Sequence, residues 1–305
     1  MILRDTGPAG GDFHVLGWAQ VPSYLLDAPR PALFDAGLAC LGRSYARDAR
    51  VVLAGREPAY LFLTHVHFDH CGAAAMLKQT FPGLTIAASA KAASILARPN
   101  ALALMARLNQ EGRARFETHR PELIGPEAFE PFAVDLVLSD GQEIDLGGGT
   151  TLQVLSTPGH TWDFLSYWIP ERGVLVASEA VGCTDHTGYI VTEFLVDFET
   201  YLASVHRLLQ LPAQVLCQGH TEVFTGPDVR PRLERTLDAA LEFRAWVERL
   251  LDEENGDEER VALRVKAGEY ARRPQPKQPE PAYLLNLRAR VSHLAGLRRQ
   301  RLAGA

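Results

Sequence analysis

Thr64-His65-Val66-His67-Phe68-Asp69-His70-Cys71-Gly72 follows directly on the apolar run Tyr60-Leu61-Phe62-Leu63, and the rest of the chain reads outward from this junction. Three imidazoles and a carboxylate within six residues make a poor core, since each brings polar atoms that lose water on burial and need partners. A metal supplies those partners. The preceding run is apolar enough to be a strand covered on both faces. A turn after such a strand lets His65 and His67 face one way and Asp69 and His70 another, a spacing suited to two adjacent metal ions.

Two later histidines stand in the same kind of place. Thr157-Pro158-Gly159-His160 follows a strand expected at 152–156, and Gln218-Gly219-His220 follows one expected at 215–217, so both lie on strand-end loops, where functional residues gather. Glu179, after a strand expected at 174–177, offers a carboxylate able to bridge two ions. Alone, either Gly-His pair reads as structural. Together with the first cluster they give seven candidate ligands on four strand ends, a dinuclear set: His65, His67, Asp69, His70, His160, Glu179 and His220. His14, His119, His186, His206 and His293 lack such company; His186, seven residues beyond Glu179, comes nearest to having it.

Around these positions, short apolar runs at 15–21, 23–26, 31–35, 51–53, 84–88, 134–138 and 164–169 predict strands, and 72–81 and 89–96 predict helices. The stretch 101–131 reads as an insertion, helical to 117 and irregular from 121. Asp140-Gly141 and Gly147-Gly148-Gly149 mark turns. The alternation predicts a layered α/β core. After Gly226-Pro227 the pattern changes to amphipathic helices at 230–254, 258–270 and 283–302, broken by four prolines at 272–281. The first of these helices places Leu233, Leu237, Leu241, Trp246 and Leu250 near one face. A catalytic domain over 1–227 and a C-terminal helical appendage over 228–305 are expected, the appendage being too small to stand alone.

With 47% hydrophobic residues, 305 residues can bury one sizeable core with such an appendage. The net charge of −6 gives no general reason to bind a polyanion. From Arg260 onward, however, eleven Lys and Arg stand against Glu269 and Glu280, an excess of +9, which leaves −15 on the preceding part. No apolar run suits a secretory signal or a membrane span, so a cytoplasmic protein without membrane contact is expected. Cys40, Cys71, Cys183 and Cys217 have no paired spacing, which argues against a disulfide framework and a CxxC zinc site. Each reads as a small buried hydrophobe.

Taken in order, His65 to His70 with Gly72, Thr157 to Thr161, Glu179 and Gly219-His220 resemble the successive motifs of the metallo-β-lactamase superfamily, over about residues 10–225. The resemblance implies an α/β fold, an αββα sandwich with metals at the sheet edge. Gly17-Trp18-Ala19-Gln20-Val21-Pro22, the stretch containing Arg107-Leu108-Asn109, and the two-part helical tail are further similar to the glyoxalase II-like branch that contains the 2-aminobenzoylacetyl-CoA thioesterase. In that branch the tail helices lie over the metal site. The superfamily usually has Asp where this sequence has Glu179; a glutamate is one methylene longer and can still bridge. Two divalent transition metals are implied, zinc first, with iron and manganese as alternatives because the set has no thiolate.

On this reading His65, His67 and His160 bind one ion and Asp69, His70 and His220 the other, with Glu179 and a water between them. Such ions lower the pKa of water from about 15.7 to roughly 7, and Asp69 can pass a proton to the leaving group. Hydrolysis of a small-molecule substrate is expected. A coenzyme A thioester comes first, because the basic tail, with Arg288, Arg290, Arg298, Arg299 and Arg301, could receive its phosphates; the alternative is that the +9 tail simply packs on the −15 body. Lactone and phosphodiester hydrolysis are the enzyme alternatives, and nucleic acid is disfavoured by the acidic body. A different class is a catalytically quiet metal-bearing protein whose tail helices contact a partner or form a homodimer.

Overall fold

The computed structural model describes residues 1–185, 187–273 and 277–303. Contacts divide the chain into two units, one of Met1–Ser156, Asp163–Ser178 and Pro212–Val229, the other of Thr157–Trp162, Glu179–Leu211 and Arg230–Ala305. The division is not linear in sequence: the C-terminal helices share a unit with the His160 loop and with the stretch beginning at Glu179.

The strands in chain order are β1 (Ile2–Leu3), β2 (Gly7–Gly10), β3 (Phe13–Trp18), β4 (Val21–Leu26), β5 (Ala32–Phe34), β6 (Tyr60–Phe62), β7 (Thr85–Ser89) and β8 (Leu136–Leu138), then β9 (Glu143–Gly147), β10 (Thr150–Ser156), β11 (Leu165–Ile169), β12 (Val174–Val176), β13 (Cys183–Thr184), β14 (Ile190–Val191), β15 (Val215–Cys217) and β16 (Val223–Thr225). The first unit holds two seven-stranded sheets, ordered β2-β3-β4-β5-β6-β7-β8 and β1-β16-β15-β12-β11-β10-β9. In the first sheet β2 to β5 are antiparallel and β5 to β8 parallel. Parallel neighbours need crossovers. Helix α1 (Gly42–Leu53) supplies one between β5 and β6, α2 (Phe68–Cys71) and α3 (Ala74–Thr80) the next, and α4 (Ala90–Leu96) with α5 (Pro99–Glu117) the last.

Strand alternation places the cores. Ala32 and Phe34 of β5, Tyr60 and Phe62 of β6, and Phe13 and Tyr24 pack against Val154, Tyr167, Val176 and Cys217 of the second sheet. The Phe62 and Tyr167 ring centroids are 5.3 Å apart. Leu33 and Leu61, pointing the other way, join Tyr45, Ala49, Leu53 and Leu77 of the crossover helices. A strand so covered on both faces has no polar position, which is why 60–63 reads as continuously apolar. Each fully buried ring or leucine contributes roughly 1.5–3 kcal/mol.

Residues 51–53, expected as a strand, are instead the last turn of α1. Tyr45, Ala46, Ala49 and Leu53 are buried at helical spacing, while Val51 is exposed. The helix expected at 72–81 starts earlier and is split into α2 and α3.

The second unit holds the β13–β14 ribbon, α6 (Phe198–Leu208), α7 (Val229–Glu253), α8 (Glu258–Val265) and α9 (Glu280–Ala303). Side chains of Asp197 and Asp257 cap α6 and α8 by accepting from Thr200 and Arg260 N–H. Helix α7 buries Leu233, Thr236, Ala240, Phe243, Val247 and Leu250, whereas Leu241, expected on the inner face, is 50% exposed. Steps of four from Leu233 drift off a face of period 3.6, and alternating steps of three and four stay on it.

Arg288 pairs with Glu259, Arg298 with Asp252, Arg299 with Glu258, Arg301 with Glu248, and Arg290 with Glu269. The +9 excess, counted from Arg260, leaves out the carboxylates of α7 and the start of α8. These carboxylates pair with the basic side chains within the same unit. Among the described residues no helix is long and apolar enough to cross a membrane.

Candidate metal centre

The segment 64–70 is fixed by two carboxylates that sequence reasoning missed. Asp35, just past β5 and 2% exposed, accepts from Thr64 N–H through Oδ1 at 2.8 Å and from the Thr64 hydroxyl through Oδ2 at 2.9 Å. Asp163 accepts from Val66 N–H at 3.0 Å. Thr64 O takes the Leu165 N–H at 2.8 Å, and Leu63 O takes the Tyr167 hydroxyl at 2.6 Å. His67 then stands at the N-cap position of α2 without a side-chain capping bond, and the first turn of that helix places Asp69 and His70 consecutively.

This backbone gathers the side chains. The His65 ring centroid lies 4.6 Å from that of His67 and 4.4 Å from that of His70, so the two expected faces meet at His65. His220, on the loop between β15 and β16, brings its ring to 5.2 Å from His70. Asp69, His70 and His220 each offer a donor atom, and these atoms lie within 4.8 Å of one another. His65 and His70 are buried, while His67, Asp69 and His220 are part-exposed, so this end of the cluster faces solvent. His220 Nε2 and Asp69 Oδ2 are 3.7 Å apart.

In the second unit His160 is buried, and its Nδ1 donates to Glu193 O at 2.6 Å. Gly159 O accepts from Leu195 and Val196 N–H, and Pro158 O from the Ser204 hydroxyl. Glu179, 3% exposed, lies in the 3-10 turn Ser178–Val181. His186 lies outside the described residues.

Four histidines share one feature. His70 Nδ1 bonds the Asp35 carboxylate at 2.9 Å, and His220 Nδ1 the carbonyl of Gln20 at 2.7 Å. The Thr64 hydroxyl, whose one hydrogen goes to Asp35, accepts from His65 Nδ1 at 3.0 Å. Carbonyls and carboxylates only accept, so in these histidines, as in His160, Nδ1 carries a hydrogen, which leaves Nε2 as the lone-pair nitrogen of the neutral ring. That is the arrangement of metal-ligating imidazoles, and the donor set fits divalent ions.

Backbone strain clusters here too. Of the five non-glycine residues with positive φ among the described residues, Asp35 (55°), Ser178 (47°) and Thr221 (65°) respectively hold the ligand segment, precede Glu179 and follow His220. Left-handed backbone outside glycine costs energy and persists where the surroundings impose it. The cysteines are all buried. Burial, with Asp69, Asp35 and Asp163 nearby, pushes the Cys71 thiol well up, so it is inert at neutral pH.

The chain belongs to the metallo-β-lactamase superfamily, whose family model matches residues 16–220. It is 28% identical over 220 residues to the Bacillus subtilis (strain 168) protein named "Probable metallo-hydrolase YqgX", a match covering 69% of this chain and 90% of that one. It is 29% identical over 164 residues to the hydroxyacylglutathione hydrolase of Bartonella henselae, covering 52% of this chain and 47% of that one. A solved metallo-beta-lactamase family protein of Thermus thermophilus superposes with a TM-score of 0.62 at 22% identity, over 98% of this chain and 93% of that one, a likeness of fold. The superfamily fold implies divalent metal ions.

Proposed function

We propose that the chain is a dinuclear metal-dependent hydrolase of thioesters, with His65, His67 and His160 holding one ion, Asp69, His70 and His220 the other, and Glu179 between them. Zinc is the first choice of metal. The observation that carries the reading is the Nδ1 bonding of His65, His70, His160 and His220, which presents Nε2 as the lone-pair nitrogen of each ring.

When bound, such ions supply Lewis acidity, lowering the pKa of water to about 7 and polarising a carbonyl oxygen. Asp35 and Asp163 hold the ligand segment in place beforehand, so little reorganisation accompanies the reaction. Asp69, part-exposed beside His220, is the carboxylate that meets substrate; it takes the proton of the attacking water and delivers it to the leaving thiolate. The likeness to the Bartonella enzyme, whose name specifies hydrolysis of a hydroxyacylglutathione, supports an acyl thioester over a lactone or phosphodiester.

Elemental analysis of protein purified without chelator, with a panel of acyl-CoA and acylglutathione thioesters, a lactone and bis-nitrophenyl phosphate, tests the reading. About two metals per chain are expected, with thioester turnover that His67→Ala and His220→Ala lower together with metal content. No metal after reconstitution would sink the metal assignment. Turnover confined to the other esters would sink the substrate class, and bound metal with no turnover would point to a quiet partner-binding protein.

A further inference from the structure

Helices α7 and α9 each bury an arginine against a loop. Arg232 of α7, 5% exposed, donates from Nε to the Thr184 hydroxyl at 2.7 Å, from Nη1 to Val181 O at 3.2 Å and from Nη2 to Gly182 O at 3.1 Å. Val181 ends the turn that carries Glu179, and Gly182 N–H closes it on Glu179 O at 3.0 Å. Arg290 of α9, 1% exposed, donates to the carbonyl and hydroxyl of Thr192 at 3.1 and 3.2 Å. The next carbonyl, that of Glu193, is the acceptor for His160 Nδ1. Glu269 holds Arg290 from the other side at 3.1 Å and also takes the hydroxyls of Tyr189 and Tyr283.

Burying a guanidinium is costly, and a leucine or methionine would fill either space more cheaply. What an apolar side chain cannot do is hold carbonyls in a fixed direction, as the planar fork of an arginine does. Arg232 grips the backbone that ends the Glu179 turn, and Arg290 grips the residue before the one whose carbonyl bonds His160.

We propose that Arg232 and Arg290 are positioning residues for Glu179 and His160, so that the metal centre depends on helices contributing no ligand of their own. The inference rests on the assignment of His160 and Glu179 as ligands. Arg290 fixes the Thr192–Glu193 backbone, and Glu193 O then fixes the tautomer and aim of the His160 ring. Arg232 fixes the end of the Glu179 turn.

The test uses full-length, metal-free protein titrated with Zn²⁺ against a chromophoric chelator, with melting temperature and circular dichroism measured alongside. Arg290→Met and Arg232→Met are expected to weaken Zn²⁺ binding about tenfold or more, the scale of outer-shell losses at metal sites, with Arg290→Lys intermediate. Arg288→Gln, breaking an exposed pair on the same helix, should leave affinity unchanged. Leu294→Ala, a core truncation on α9, should lower the melting temperature without weakening Zn²⁺ binding. Equal loss in Leu294→Ala would show that general destabilisation explains the effect and would overturn the proposal. If His160→Ala binds Zn²⁺ like wild type, the ligand assignment itself fails. If His160→Ala is weakened but the arginine variants are not, the assignment stands and the inference falls. Should Arg290→Met fail to fold, Arg290→Lys decides, and wild-type affinity in that variant would overturn the proposal.

Discussion

The Asp35 carboxylate bonds Nδ1 of His70 across 2.9 Å with the oxygen that also accepts the Thr64 hydroxyl, so one buried aspartate ties a proposed ligand to the start of its own motif. Asn at position 35 keeps the shape, but its amide sets donors against either the Thr64 N–H or the imidazole N–H. A buried donor left unmet costs about 1–3 kcal/mol. Asp35→Asn is therefore expected to lower the melting temperature of the metal-free protein and to weaken Zn²⁺ binding by roughly 10–100-fold. Chelator competition and thermal denaturation check it, and wild-type affinity in the variant would contradict it.

Gly159 precedes His160 at φ +130°, and a Cβ there would stand 2.5 Å from Tyr201 Cα and 2.7 Å from Tyr201 N. Backbone atoms cannot yield as a side-chain tip can. Gly159→Ala should cost about 2–4 kcal/mol, the range of a strained backbone with a core clash. It should also weaken Zn²⁺ binding, because the displaced residue is the one before a proposed ligand. Urea denaturation of the metal-free variant reads the first effect, and a stability equal to wild type would refute the steric argument.

Glu179 supplies negative charge that offsets two dications in the proposed centre. Aspartate keeps that charge one methylene short, while alanine leaves the cations' repulsion unscreened. Glu179→Asp is expected to retain more metal and more turnover than Glu179→Ala. Unimpaired metal content in both variants would remove Glu179 from the ligand set.

The histidine motifs are legible in the sequence because each sits immediately after an apolar strand, where the chain has already left the core. Asp35 and Asp163 are not: each is a lone carboxylate, and their partners Thr64 and Val66 lie 29 and 97 residues away, a pairing only the fold creates. Val51-Val52-Leu53 misleads because three residues cannot separate a period of 2 from one of 3.6, whereas Tyr45, Ala46 and Ala49 complete the helical pattern. Helix α6 does carry a signal, an Asp197 cap followed by buried Phe198, Tyr201, Val205 and Leu208 at helical spacing. Charge along the tail does not reveal its own partners, since a count over consecutive residues separates α9 from the acidic positions of α7 and α8 that it meets in space.

Burial alone would raise Glu269, but Arg290, Tyr283 and Arg273 outweigh it and hold its carboxyl below the ordinary value of 4.5. A group whose folded pKa is depressed contributes stability that is present above the unfolded value and lost as pH falls through the folded one. Glu269→Gln leaves Arg290 buried opposite a neutral partner, at a cost of about 3–5 kcal/mol near neutrality. The stability gap between wild type and Glu269→Gln should therefore be widest at neutral pH and close as pH is lowered through 4.5 and below. Urea unfolding over a pH series measures it, and a gap that stays constant would contradict the linkage.

The last prediction concerns the basic residues of α9. Arg288 and Arg299 pair with Glu259 and Glu258 of α8, and Arg298 and Arg301 with Asp252 and Glu248 of α7, all on part-exposed or exposed side chains. Exposed pairs of this kind contribute about 0–1 kcal/mol each and weaken with salt. An arginine so engaged would have to give up a carboxylate to take a phosphate, and the carboxylate left behind would repel the anionic ligand. Replacing all four with glutamine should therefore leave the KM for an acyl-CoA close to its wild-type ratio with a neutral thioester, within about twofold, at low and high ionic strength alike. The substitution should instead lower the melting temperature modestly, and by less at high salt. Should the KM for the acyl-CoA rise steeply while that for the neutral thioester holds, and should the difference shrink with salt, these arginines would be binding the substrate's phosphates after all, and their pairing with α7 and α8 would be only the resting arrangement.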